Sequence, residues 1–186
     1  MNHKVLYHQN EMEFETLEDI LPEKNVHLDM IIVGKVPSPV SVNAGHYFQG
    51  KHGKALWNKL VEYGILKKIT AYHDDSLLKN DIGITDLVKK TRYTDNEPSM
   101  EEYRSGKERL DFIVTTYQPK VLFFVYKRAL EACVPFLSKI QYGFNDNLNC
   151  HFNGSRVFLF PMPGTGKVTK SIIEASLTSL KQYLTK

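Results

Sequence analysis

The stretch most suggestive of chemistry is the sequence FPMPGTGKVTK, at residues 160–170. Two glycines followed by a lysine are typical of loops that bind phosphate, because glycine lets the backbone approach the phosphate and lysine neutralises its charge. The nucleotide-binding P-loop also requires an earlier glycine at a fixed spacing, and serine or threonine directly after the lysine. Pro161 and Val168 occupy those two positions. The sequence therefore predicts a phosphate-binding loop that does not bind ATP or GTP.

A second candidate loop, GKVPSP at residues 34–39, follows a short apolar run, and Asn43, His46, Tyr47 and Phe48 come soon after it. Imidazole exchanges protons near neutral pH, and aromatic rings offer a stacking surface to a planar ligand. An amide in such a loop can hold a water molecule, although asparagine is also common in turns. These residues predict a binding cleft, with a surface histidine and ordinary core aromatics as the alternatives.

The elements that would carry both loops are short buried strands. Continuous apolar runs at 29–34, 121–125 and 156–160 predict three such strands, and residues 82–88 predict a further short strand or a turn. Strands alternate with helical patterns, which predicts an α/β fold, a three-layer αβα sandwich with a short central parallel sheet. Ligands of such sheets bind beyond the carboxyl ends of the strands, where both loops would border one cleft.

Helical patterns fill the intervals between the strands. Apolar spacing predicts a helix over 54–66, and a capping box at 99–102 predicts the start of another. A helix over 127–139 is expected to bend at Pro135. A second capping box, at 171–174, predicts the start of the last helix.

Composition limits the classes of function. The length suits one domain, residues 1–186, in which residues 1–27 form an extension without an assigned role. The net charge of +3 permits a nucleic-acid partner without requiring one. Neither a secretory signal nor an apolar run of about 18 residues is present, so we expect a cytoplasmic protein with no membrane partner. The oligomeric state stays open, with a monomer as the expectation.

The two cysteines, Cys133 and Cys150, lie in or beside apolar runs and are expected to be reduced thiols. Iron–sulfur clusters usually take more thiolates than this chain has. The pair Cys150-His151 has no second pair of ligands at the spacing of a zinc site. The sequence therefore predicts no cofactor and no metal.

The ordered motifs of the chain resemble those of the uracil-DNA glycosylase superfamily over roughly residues 28–180. The stretch IIVGKVPSPVSVNAGHYFQGKHGKALW is similar to the family's first motif and its aromatic continuation, with the spacing of the branch that removes hypoxanthine. The stretch GITDLVKKTRYTDNEPSMEEYRSGKERLDFIVTTYQPKVLFF looks more like the mismatch-specific uracil/thymine branch. VFLFPMPGTGKVTK stands in the place of the second motif.

The resemblance implies a DNA glycosylase, a hydrolase that removes a deaminated or mismatched base in base-excision repair, with DNA as its partner. Because the motifs mix two branches, uracil, thymine and hypoxanthine all remain open as the base. Val36 stands where the mismatch branch has a water-positioning asparagine, and Met162 stands where the second motif usually has asparagine, histidine or serine. These departures leave a second hypothesis: a glycosylase-fold protein that binds nucleic acid or a nucleobase without cleaving it.

The resemblance also implies three groups of site residues. The motif positions expected to be catalytic are Lys35, Val36, Asn43 and His46. The residues expected to bind the base are Gly34, Pro37, Ser38, Tyr47, Phe48 and Met162. The residues expected to contact the DNA strand are Pro163, Gly164, Thr165, Gly166, Lys167 and Lys170.

Overall fold

A mostly parallel five-stranded sheet forms the centre of the protein. The computed structural model describes residues 1–9, 12–23, 26–93, 96–163 and 168–185. The strands are β1 (Lys4–Gln9), β2 (Met12–Leu17), β3 (Met30–Gly34), β4 (Ile82–Asp86), β5 (Val121–Phe124), β6 (Gly143–Phe144) and β7 (Arg156–Leu159). The central sheet has the order β4-β3-β5-β7-β6, with β6 antiparallel to β7 and the other pairs parallel. The predicted sheet is confirmed, and the ambiguous stretch 82–88 contains strand β4.

Alternate positions of the strands supply two separate cores, one on each face of the sheet. On β3, Met30 and Ile32 belong to one core, and Ile31 and Val33 belong to the other. The helices are α1 (Pro39–Ala44), α2 (Lys51–Glu62), α3 (Met100–Tyr117), α4 (Lys127–Glu131) and α5 (Lys170–Leu184). Helices α1, α2 and α5 supply side chains to the first core, and α3 and α4 supply side chains to the second. This arrangement confirms the predicted αβα sandwich.

Two helices that flank the site differ from their predicted bounds. Helix α2 begins at Lys51, directly after Gly50, rather than at residue 54. Helix α4 ends at Glu131, so the predicted helix over 127–139 is wrong. Pro135 has no amide hydrogen and disfavours helical geometry in the residue before it, which ends the helix rather than bending it.

The two predicted capping boxes have opposite outcomes. At the start of α3, Ser99 and Glu102 exchange both reciprocal bonds, which confirms the first box. At the start of α5, the hydroxyl of Thr169 accepts a hydrogen bond from the backbone nitrogen of Ile172 at 3.3 Å. Because Thr169 is the N-cap, the box predicted at 171–174 is wrong.

The N-terminal segment packs against the sheet near the carboxyl ends of its strands. Strands β1 and β2 form an antiparallel hairpin, and Ile20 bridges Ile84 on the edge strand β4. Leu17 is fully buried, and the hydroxyl of Tyr47 donates to the carbonyl oxygen of Glu18 at 2.9 Å. The described part of residues 1–27 therefore covers a sheet edge and touches the surroundings of the candidate site. Among the residues that the structure describes, no helix is long and apolar enough to cross a membrane.

Candidate active site

A cavity of about 570 Å³ opens where strands β3, β4 and β5 end. The segment Lys35–Ser38 after β3, Asp86 at the end of β4, and Tyr126–Arg128 after β5 all line it. Parallel strands bring their carboxyl ends to one edge of the sheet, so a cleft here is the expected place for a ligand. The loop after β3 borders this cleft as predicted. The second predicted loop, residues 164–167, lies outside the described residues.

Asp86 is the most unusual polar residue of this cavity. Its side chain is buried, with 1% of the residue exposed, and its Oδ1 atom has no hydrogen-bond partner among the described residues. Asp86 pairs with Gly34 across the β3–β4 ladder. A Cβ atom on residue 34 would lie 1.9 Å from this Oδ1 atom. The carboxylate can therefore occupy its place only because residue 34 is glycine.

A network of charged side chains surrounds the backbone of Asp86. Asp19 accepts hydrogen bonds from Lys89 at 2.8 Å and from Arg109 at 2.5 Å. Arg109 also donates to the backbone carbonyl oxygen of Asp86. Burial raises the pKa of Asp86, Lys89 and Arg109 lower it, and Asp19 raises it, with a net value of about 7. A carboxyl group with this pKa exchanges protons in the physiological range, as a general base must.

Two aromatic residues form a wall of the cavity next to Asp86. Phe48 has a φ of 56°, in the left-handed region that bulky residues rarely adopt. Helix α2 packs directly on it, since a Cβ on Gly53 would lie 2.3 Å from the carbonyl oxygen of Phe48. The indole of Trp57 lies edge-on to the Phe48 ring and donates to the carbonyl oxygen of Tyr47 at 3.1 Å. The surrounding packing thus holds Phe48 in a strained conformation, as is common at functional sites.

The residues after β5 add a hydroxyl group and positive charge. Burial, together with the nearby Asp86, raises the pKa of Tyr126 to about 12, so its hydroxyl stays neutral and can donate a hydrogen bond. At the mouth of the cavity, Glu97 bridges Lys35 at 2.8 Å and Arg128 at 3.3 Å. Lys51, at the start of α2, also lines the cavity and is exposed. The cavity therefore combines a buried carboxyl group with a basic rim.

The structure brings some of the predicted site residues together. Lys35, Val36, Pro37, Ser38, Tyr47 and Phe48 line the cavity, and Gly34 lies directly behind it against Asp86. Val36 is half-buried and offers only an apolar surface.

Other predicted site residues lie elsewhere in the described chain. Asn43 is exposed on α1, and Met162 is buried in the core under α5. The ring of His46 is buried, with its Nδ1 atom 3.0 Å from Asp74 Oδ1. Pro163 is half-buried, and the exposed Lys170 begins α5 with its Nζ atom 3.6 Å from Glu174. Gly164, Thr165, Gly166 and Lys167 lie outside the described residues.

Sequence reasoning missed Asp86 and Tyr126. A signal for Asp86 was present, because the stretch IGITD ends an apolar strand with a carboxylate at the edge where ligands bind. Because residues 82–88 were also compatible with a turn, Asp86 was not assigned to the end of a strand. Tyr126 had a weaker signal, since an aromatic residue after a buried strand is more often part of a core.

A comparison with protein families agrees with this geometry. The sequence model described as the uracil DNA glycosylase superfamily matches residues 21–176. The match covers the central sheet, the strand-end cavity and Asp86, and it extends into α5. The chain therefore belongs to the uracil DNA glycosylase superfamily, whose members are in general DNA glycosylases that hydrolyse N-glycosidic bonds.

Proposed function

We propose that this protein removes a deaminated or mismatched base (uracil, thymine or hypoxanthine) from DNA, with Asp86 positioning and activating the attacking water. The observation that carries this proposal is the buried side chain of Asp86, which lines the cavity and whose Oδ1 atom has no hydrogen-bond partner among the described residues. A buried polar atom is normally satisfied, so an unsatisfied one in a cavity favours a bound water or ligand.

The cavity has the size and lining that an extruded base requires. Its volume of about 570 Å³ lies within the usual range of small-molecule sites. A glycosylase must take its target base out of the helical stack and hold it against other surfaces. Tyr47 and Phe48 offer aromatic surface inside the cavity, and Tyr93, 78% exposed, lies at its rim. These rings replace part of the stacking that the base loses.

The proposed reaction uses one water molecule and no covalent intermediate. The bond between the sugar C1′ atom and the base nitrogen breaks, and its electron pair leaves with the base. Positive charge develops on the sugar, where the ionised carboxylate of Asp86 stabilises it. The water oxygen then bonds to C1′, and Asp86 accepts the proton that the water loses. The neutral hydroxyl of Tyr126 is placed to donate a hydrogen bond inside the same cavity.

Asp86 supplies from strand β4 the polar group that the first motif lacks. Val36 follows β3 and cannot orient water, whereas Asp86 ends the neighbouring strand and pairs with the motif glycine. The two positions therefore approach the same cavity from adjacent strands. Under this proposal, the catalytic group lies at the end of β4 rather than in the loop after β3. Hydrolysis therefore does not require an asparagine at residue 36.

The basic rim supports DNA as the polymer that carries the base. Lys51, Lys127 and Arg128 line the cavity mouth, where the phosphates beside an extruded nucleotide would pass. Lys170 is largely exposed at the start of α5, directly after the glycine-rich loop that the sequence assigns to phosphate binding. Phosphate contacts position the DNA, whereas contacts inside the cavity determine which base is bound.

The direct test uses purified protein and labelled duplexes that carry uracil, mispaired thymine or hypoxanthine, with matched single strands and undamaged duplexes as controls. Alkali then cleaves any abasic site that forms. Strand cleavage that depends on one or more of these bases supports the proposal. Binding without cleavage on every substrate would refute it and support the alternative, a non-cleaving protein, which the apolar Val36 and Met162 favour.

A further inference from the structure

Four potential metal ligands converge next to the backbone of Tyr47. They are His3, His46, Asp74 and Asp75, called here the His/Asp cluster. One ligand atom from each residue lies within 4.8 Å of the other three. His3 precedes β1, His46 follows α1, and the two aspartates form the start of a 3-10 helix at Asp74–Ser76. Segments that are distant in the chain therefore bring these side chains to one point.

We infer that the His/Asp cluster binds one divalent transition-metal ion, with Zn²⁺ as the best match to its ligands. Two imidazole nitrogens and two carboxylate oxygens suit Zn²⁺ and its first-row neighbours better than Mg²⁺ or Ca²⁺, which prefer oxygen alone. The sequence-based expectation of no metal considered only cysteine-containing pairs. It could not anticipate a cluster assembled from residues 3, 46, 74 and 75.

The distances suit a shared ion. His3 Nε2 lies 2.8 Å from Asp75 Oδ1, and His46 Nδ1 lies 3.0 Å from Asp74 Oδ1. Bonds from zinc to nitrogen or oxygen of about 2.0–2.2 Å place neighbouring ligand atoms roughly 3.4 Å apart in a tetrahedral site. Small shifts would therefore bring the four atoms onto one ion. Each neutral histidine would bind the ion through the ring nitrogen that now faces its aspartate and would carry its proton on the other ring nitrogen, because the ligating nitrogen must be unprotonated.

The electrostatics of the cluster also favour a cation. Asp74 is 1% exposed, and its neighbour Asp75 lies close to it with a side chain only 12% exposed. With both histidines neutral, the cluster holds two negative charges, of which the amino group of Met1 offsets one through a 2.8 Å contact with Asp75. A divalent ion compensates such buried charge more completely than hydrogen bonds do.

Backbone hydrogen bonds and a ring contact hold the two histidine ligands in place independently of any ion. The amide of His3 donates to the carbonyl oxygen of Gly45 at 2.9 Å, and the carbonyl of His3 accepts from the amide of Glu18 at 2.8 Å. The ring of Tyr72 stacks on His46 with 3.5 Å between ring centroids. Such second contacts fix the orientation of ligating histidines in metal sites. The cluster is therefore prearranged, as a metal site requires.

The ion would have a structural role. All four ligands come from the protein, which is the pattern of closed structural sites rather than of catalytic ones. Asp74 Oδ2 accepts a hydrogen bond from the backbone amide of Tyr47 at 2.8 Å. A metal on this cluster would thus tie residues 1–3 to the residue that forms the aromatic wall of the cavity.

The test measures metal uptake, so its result does not depend on glycosylase activity. Full-length protein is stripped with a chelator, dialysed, and titrated with ZnCl₂ by calorimetry, while thermal melting is followed in parallel. His3→Ala and Asp75→Asn remove ligands at the less buried end of the cluster. His8→Ala is the matched control, because His8 lies on β1 with a side chain that is 72% exposed.

We expect wild type and His8→Ala to bind about one equivalent of Zn²⁺ and to melt at higher temperature with it. Affinity should fall by at least roughly tenfold in His3→Ala and Asp75→Asn. Equal uptake by all four proteins, or no saturable uptake by wild type, would overturn the inference. The absorption spectrum of Co²⁺ added to the wild type is a second test, and it does not depend on whether the variants fold. A protein-bound cobalt spectrum that Zn²⁺ abolishes supports the site, and the spectrum of the free aqueous ion overturns it.

Discussion

Gly34 and Asp86 are direct partners across the β3–β4 ladder, and a Cβ atom on residue 34 would lie 1.9 Å from the Oδ1 atom of Asp86. The glycine of the first motif and the buried carboxylate therefore form one structural unit. Glycine at this position leaves room for a charged group that the adjacent strand supplies.

Gly34→Ala should strongly reduce the rate of base removal while the protein still binds DNA. The added methyl group would collide with Asp86 Oδ1 and would approach Phe48 Cζ to 3.2 Å, so the carboxylate must move. We expect a loss in single-turnover rate of about 10²-fold or more, the scale of a displaced general base. Gly50→Ala is the matched control, because it adds the same methyl group to a residue that lines the cavity but has no atom within 4 Å of the added carbon. Unchanged activity in Gly34→Ala would show that the position of Asp86 does not matter.

Asp86→Asn should stabilise the protein, more at pH 8 than at pH 5. The folded-state pKa of about 7 lies above the ordinary aspartate value of 3.8, so folding favours the protonated form. Stability is therefore lost as pH rises from about 4 to 7, by up to ~4 kcal/mol for a shift of this size. Asparagine cannot ionise and avoids that loss.

Thermal melting at the two pH values measures this effect. Asp111→Asn is the control, because the Asp111 carboxylate is 48% exposed and pairs with Lys107 on the surface. A gain for Asp86→Asn that is the same at both pH values would contradict a raised pKa for Asp86.

Lys51→Ala should weaken DNA binding equally for damaged and undamaged duplexes. Lys51 lies at the rim of the cavity, and phosphate contacts carry no information about the base. Losing one such contact should reduce the slope of log affinity against log salt by about one unit. Lys59→Ala, at the other end of α2 and paired with Glu62 at 2.7 Å, should leave the slope unchanged. Fluorescence anisotropy over a salt series measures both variants, and equal slopes for the two would remove Lys51 from the interface.

Val36→Asn should raise activity on a uracil mismatch. The residue lines the cavity, and an amide there would add a second group that orients water. A thermal melt should first establish that the variant folds, because a polar side chain replaces a half-buried apolar one. A folded variant no faster than wild type would show that residue 36 does not face the attacking water.

Strands β3, β5 and β7 were predictable because they are short, apolar and buried on both faces. The hairpin β1–β2 and the two-residue strand β6 were not predicted, because they lack such an apolar run. Strand β4 was harder, since Gly83 and Thr85 interrupt its apolar pattern. The end of α4 was misplaced because apolar residues continue beyond Pro135 into an irregular segment. Pro135 was itself a local signal that the helix ends before it, and the continuing apolar pattern was given more weight.

The site was predictable only where its residues follow one strand. The loop after β3 could be assigned from its own sequence, whereas Asp86 acquires its role from pairing with Gly34, far away in the chain. His46, in contrast to Asp86, was predicted as a site residue from the sequence, and the structure does not support that role. Its position beside the aromatic wall suggested catalysis, but its buried ring contacts Asp74. Only the folded chain shows that Tyr47 lines the cavity whereas the ring of His46 contacts Asp74.

The most direct test of the central claim is the single-turnover rate of base removal by wild type and Asp86→Asn across pH 5 to 9, on whichever lesion duplex the wild type cleaves. If Asp86 activates the water, the wild-type rate rises through a pH of about 7 as the carboxyl group ionises. The Asp86→Asn rate should then be lower by about 10²-fold or more above that pH, without the rise. An Asp86→Asn protein that cleaves within a few-fold of wild type, with the same pH profile, would contradict the claim.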